Sequence, residues 1–98
     1  MNIRKILENI DYSGKFDDIE VSNISYDSRK STKQSMFIAI EGQDYNGHDY
    51  IPQAIKNGAV AVVKEKGYNK IHEAIDIEVE NTRDILPKIC LLYTSPSP

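Results

Sequence analysis

The chain has 98 residues, 40 % hydrophobic and 28 % charged, with a formal net charge of -3 and one cysteine. That length supports one small domain of modest stability, and the composition excludes a disordered or fibrous chain. A mildly acidic chain without a clustered basic stripe lacks the phosphate-neutralising surface of a nucleic-acid binder, and no apolar run approaches the roughly 20 residues that span a bilayer.

Ile3, Ile6, Leu7 and Ile10 recur at helical spacing and predict a helix over 2–10, with Arg4, Lys5, Glu8 and Asn9 interrupting any signal-like apolar core. The lone Cys90 has no disulfide partner within the chain and no Cys/His spacing resembles a zinc site, so a reducing cytoplasm is expected. Gly14, Asp17 and Asp18 mark a polar loop, and 21–26 alternates weakly as a short strand. The run Ser35 to Glu41, SMFIAIE, is nearly continuous in apolar residues, as a strand covered on both faces would be.

Gly42 and Gly47 bracket a loop. From Asp49 the spacing of Tyr50, Ile51, Ala54 and Ile55 predicts a helix, with Pro52 tolerated in its first turn and Asn57-Gly58 as its stop. Ala59 to Glu65, AVAVVKE, is a second buried strand, so strand, helix and strand form a right-handed crossover with a parallel pair. A short helix is expected over 68–75 and a further strand over 75–80. Asn81 is a candidate helix cap with Asp84 three residues on, but Pro87 removes a backbone donor soon after and predicts a kinked or broken helix. The expected fold class is α/β, a small mixed, mainly parallel sheet flanked by helices.

No Gly-x-x-x-x-Gly-Lys-Ser/Thr and no Gly-x-Gly-x-x-Gly occurs, so ATP is not bound in the P-loop manner by these residues. Ser28, His48 and the carboxylates of Asp27, Asp44 and Asp49 could be drawn as nucleophile, base and orienter, but no elbow sequence surrounds Ser28 and nothing supplies an oxyanion hole. Asp44, His48 and Asp49 also suit a hard cation, against the plainer reading of a solvated turn with Asp49 as a helix cap. Two polar features remain. Asp27-Ser28 closes a strand, either as an Asx or Ser turn or as a ligand-facing edge. EGQDYNGHD follows a strand, with glycines that let backbone approach a ligand and with Tyr45 able to stack on a planar base, or else it is an ordinary connection.

Taken together, ISYDSRK, MFIAIEG and NGHDYIPQAIKNGAVAVV, in this order and spacing, resemble the N-terminal domain of the Mur ligase family. Within it they are most similar to the branch that adds the third residue to UDP-N-acetylmuramoyl-L-alanyl-D-glutamate. The resemblance spans Met1 to about Ile89 and implies a UDP-substrate-binding domain over 1–89, with 90–98 a non-native or truncated tail, since CLLYTSPSP also looks like translated adapter sequence. By position it implies substrate contacts from Tyr26 and Ser28 on one side and from Gln43, Asp44 and Tyr45 on the facing loop, with Asp27 and Arg29 structural and no residue catalytic.

It further implies ATP and magnesium for a full-length enzyme that adds meso-diaminopimelate or L-lysine, and no cofactor on this chain, which is expected to be inactive alone. The expected partners are the nucleotide precursor and the missing central and C-terminal domains, with no nucleic acid and no membrane. The same domain of the D-alanyl-D-alanine-adding Mur ligase and a non-catalytic binding module are the alternatives. One turn departs from the family: Lys33-Gln34-Ser35 stands where relatives commonly carry a Pro-Gly-Asp turn. Geometry adds a tension of its own, since only about six residues join Ser28 to the next strand where a parallel crossover normally takes a dozen or more. A hairpin there would send Ser28 and Gln43 to opposite ends of the sheet, so a shared pocket is expected to need a crossing loop between strands that do not pair directly.

Overall fold

The computed structural model describes residues 2–8, 10–14, 16, 18–26, 32–41, 44 and 46–93, with backbone alone for 86 and 89–93. Four strands, β1 (Ile24–Ser25), β2 (Ser35–Ile38), β3 (Ala59–Glu65) and β4 (Ile75–Val79), form one sheet in the order β1-β2-β3-β4, every neighbouring pair parallel. Helices α1 (Ile3–Ile6), α2 (Ile51–Lys56) and α3 (Thr82–Tyr93) flank it, and a 3-10 turn over Gly47–Tyr50 leads into α2.

Period-two alternation divides the strands between two cores. Met36, Ile38, Ala61, Val63, Ile77 and Val79 meet Ile3, Ile6 and Leu7 of the amino-terminal turn and Ile85 of α3 on the first face. Phe37 and Val62 meet Ile51 and Ala54 of α2 on the second. Central strands buried on both sides account for the continuous apolar runs at Ser35 and Ala59.

Beyond α2 the second face turns ionic. Lys64, 1 % exposed, lies against Asp76 Oδ1 at 3.2 Å and Glu78 Oε2 at 3.1 Å. The Asp76 Oδ2 atom accepts the Ile71 N–H at 2.9 Å, so one carboxylate binds both the lysine and the connection into its own strand.

Several expectations are corrected. Helix α1 is a single turn, closed by Leu7 N–H to Ile3 O, because that turn already buries Ile3, Ile6 and Leu7. Residues 68–75 are not helical: Gly67 enters with φ +101 and the segment is held from outside itself by the Asp76 carboxylate. Helix α3 runs through Pro87 unbroken; the proline is on the exposed side, where the carbonyl it displaces can tilt towards water. Asn81 does cap α3, accepting the Arg83 N–H at 2.9 Å.

The direct pairing of β1 and β2 is the correction that bears on function. They are parallel neighbours, Ile24 opposite Met36 and Ser25 opposite Phe37, although residues 26–34 alone connect them. A two-residue strand requires only a short return path, so no crossover helix is needed. Thr32 Oγ1 donates to Asn23 Oδ1 at 3.0 Å and Ser22 Oγ to Lys33 O at 2.7 Å, fastening the returning chain beside the strand it left.

Candidate functional site

Parallel pairing places the carboxyl ends of β1 and β2 side by side, and in open parallel α/β sheets ligands bind at that edge. Tyr26, 55 % exposed, leaves β1 there. From β2 the chain passes Ile40 and Glu41 and doubles back: Glu41 bridges Asn46, and the Gly47 N–H donates to Ile40 O at 2.7 Å. Asp44, at the tip of this return, is exposed. Of the five residues named from sequence, Tyr26 and Asp44 thus rise from adjacent strand ends. Ser28, Gln43 and Tyr45, and with them Asp27, Arg29 and Gly42, lie outside the described residues.

The return is tight because residue 47 is glycine. A Cβ there would stand 2.6 Å from Ile40 N and 2.8 Å from Ile40 O, so only a bare Cα lets the chain cross its own strand. Asn46 caps the 3-10 turn, its Oδ1 accepting the His48 N–H at 3.0 Å, and Asp49 stands inside that turn rather than at its cap.

His48 is neither a base nor a ligand. It is 7 % exposed and its ring lies flat on Tyr68, centroids 3.7 Å apart and planes within 6°. Its Nδ1 is 2.7 Å from Asn46 Oδ1, and Nε2 accepts the Glu65 N–H at 3.1 Å, which fixes the tautomer with the proton on Nδ1. Burial pushes the His48 pKa below its ordinary value, against the upward pull of Glu65, Glu41 and Asp49. With both ring nitrogens engaged, the Asp44/His48/Asp49 alternative has no free histidine to offer. Among the described residues no group of three or more His, Cys, Asp or Glu could hold a metal ion.

Hollows away from this edge include two beside β4 and α2. A cleft of about 790 Å³ lies against β4, with Lys64, Lys70, His72, Asp76 and Glu78 in its wall, but the Lys64 charge is matched by its two carboxylates. A second, of about 550 Å³, runs along α2 past Ile51, Pro52, Ile55 and Tyr68. No helix among the described residues is long and apolar enough to cross a membrane.

Tyr68 and Asn46 are functional candidates that sequence reasoning missed. Nothing in the spacing of GYNKI places the tyrosine under the histidine of a motif 20 residues earlier.

The fold defines a small parallel α/β domain whose first two strands end side by side at one edge of the sheet. Residues 20–93 match the family described as Mur ligase family, catalytic domain, and the chain belongs to that family. It is 37 % identical over 98 residues to the UDP-N-acetylmuramoyl-L-alanyl-D-glutamate--2,6-diaminopimelate ligase of Alkaliphilus metalliredigens, covering 99 % of this chain and 20 % of that one. The enzyme of the same name from Oceanobacillus iheyensis is 35 % identical over 96 residues, 95 % of this chain and 20 % of its own. The chain therefore spans about a fifth of the length of the curated relatives it matches. A crystal structure of MurF from Acinetobacter baumannii shares the fold, with a TM-score of 0.73 and 18 % identity over 91 % of this chain and 20 % of that chain. MurF from Thermotoga maritima, solved with ADP, follows at 0.60 and 28 % over 69 % and 16 %.

Proposed function

We propose that this chain is the UDP-binding domain of an ATP-dependent, amide-forming ligase of peptidoglycan synthesis, one that adds 2,6-diaminopimelate to UDP-N-acetylmuramoyl-L-alanyl-D-glutamate in the cytoplasm. The observation that carries the reading is the direct parallel pairing of β1 with β2, which sets Tyr26 and the Glu41–Asn46 return on one edge of the sheet. The shared name of the relatives supports the substrate and favours diaminopimelate over lysine.

The chemistry of the edge suits a uridine better than a bare phosphate. An ionised Asp44 only accepts hydrogen bonds, and a uridine nucleotide offers it a ring N–H and ribose hydroxyls, while the Tyr26 ring gives the base a face to stack on. Ser28, Gln43 and Tyr45 complete the set of proposed contacts. Residues 1–89 make up the domain in this reading. ATP and magnesium act elsewhere in the ligase, and the domain contributes by anchoring the far end of the substrate, so that remote binding energy orients the reacting carboxylate.

Calorimetry of the chain with UDP-N-acetylmuramoyl-L-alanyl-D-glutamate, UDP and ATP tests this. Heat of binding is expected for the first two and none for ATP. Equal binding of ATP and UDP, or no binding of the uridine nucleotides, overturns the reading.

A further inference from the structure

The ligand edge has a brace behind it. Tyr68 follows β3, 20 residues beyond His48 in the chain, yet its ring covers the His48 ring at 3.7 Å and its hydroxyl accepts a hydrogen bond from Asn46 Nδ2 at 2.8 Å. Asn46 is thereby held at both ends of its amide: Nδ2 on Tyr68, and Oδ1 on the backbone N–H and the Nδ1 of His48. Asn46 is also the residue that bridges Glu41 and closes the return carrying Asp44. Behind Tyr68 stands the ionic group of the second face, since Lys64 Nζ donates to the Tyr68 carbonyl at 3.4 Å while held by Asp76 and Glu78.

The His48 ring nitrogens are both occupied, the Asn46 amide is spent on Tyr68 and His48, and the stacked rings are parallel to within 6°. Ordinary capping of the 3-10 turn needs only the Asn46 Oδ1; the Tyr68 bond to its amide nitrogen adds nothing to the cap and instead fixes the side-chain plane.

We propose that Tyr68 is a positioning residue for nucleotide binding: through Asn46 and His48 it presets the return that carries Asp44, so that uridine meets an ordered edge. This rests on the reading of that edge as the UDP site. A preset site avoids the ordering cost that binding would otherwise include, and the effect is read as affinity, not as a change in what is bound.

The test is Tyr68→Phe in the 98-residue chain, which keeps the stack and removes only the hydroxyl, with Asn46→Ser as a second variant that keeps a capping oxygen and loses the amide that reaches Tyr68. Amide hydrogen exchange at Asp44, Asn46 and Gly47 is measured without ligand, and affinity for UDP-N-acetylmuramoyl-L-alanyl-D-glutamate by calorimetry. Exchange at those amides is expected to quicken and affinity to fall by about three- to tenfold, the worth of one hydrogen bond, with exchange in β3 unchanged. Unchanged exchange at Asp44, Asn46 and Gly47, or unchanged affinity in a wild type that binds, overturns the proposal and leaves the UDP reading standing. A wild type that binds no uridine nucleotide overturns the UDP reading instead.

Discussion

His48 Nε2 accepts the Glu65 backbone N–H at 3.1 Å, tying the turn after β2 to the last residue of β3. A protonated imidazole has no acceptor, so this bond exists only while His48 is neutral. Burial lowers the His48 pKa, and the unfolded chain therefore takes up a proton at a higher pH than the native one. The sign follows: stability is full above the ordinary value of 6.5 and declines as pH falls through it, until native His48 itself protonates. Urea unfolding of wild type and His48→Gln across about pH 5 to 8 checks this, the difference between them shrinking as pH falls.

Gln34 sits at φ +67, in the left-handed region that favours glycine. Its backbone N–H donates to Gly58 O at 2.9 Å and its side chain to Glu20 O at 3.0 Å, so the turn keeps its hydrogen bonds despite the strained conformation. A left-handed L-residue costs about 1 kcal/mol or more, and the exposed side-chain bond returns less than that. Gln34→Gly is expected to raise stability by about 0.5 kcal/mol in chemical denaturation.

The return at β2 fails differently. In Gly47→Ala the new Cβ meets backbone atoms of Ile40, which cannot rotate aside. A loss of about 2–3 kcal/mol in unfolding free energy is expected, together with weaker nucleotide binding, because the crossing chain carries Asp44.

Lys64 balances two carboxylates, and Glu78, 36 % exposed at its side chain, keeps some water. Lys64→Met is expected to cost about 2–3 kcal/mol, somewhat less than the about 3–5 kcal/mol of a fully buried pair broken on one side. Adding Asp76→Asn removes the more buried of the two orphaned charges while keeping an acceptor for the Ile71 N–H, and is expected to recover about 1 kcal/mol of that loss. Thermal unfolding of both variants reads the difference.

Apolar runs and turn residues carried most of the fold. Ala59 to Glu65 spans the strand read from its sequence, and Asn57-Gly58 stops α2 as read, with Gly58 at φ +117. Local pattern misled where distant groups decide. The irregular path of 68–74 is held by the Asp76 carboxylate and by the ring of His48, neither of which periodicity over those residues can reveal. The β1–β2 pairing was hidden because its strand is two residues long, too short to alternate. At the candidate site the sequence indicated Tyr26 and Asp44 at strand ends, but gave His48 only as a turn, base or metal ligand; its part in a buried brace depends on Tyr68, which no motif marks.

The central claim is the location of the site, and an amide chemical-shift titration of the 98-residue chain with UDP-N-acetylmuramoyl-L-alanyl-D-glutamate tests it most directly. The account predicts saturable shifts at Tyr26, Glu41 and Asp44, with the β4 cleft residues Lys70, His72 and Glu73 unmoved. Saturable shifts confined to the β4 cleft would contradict it.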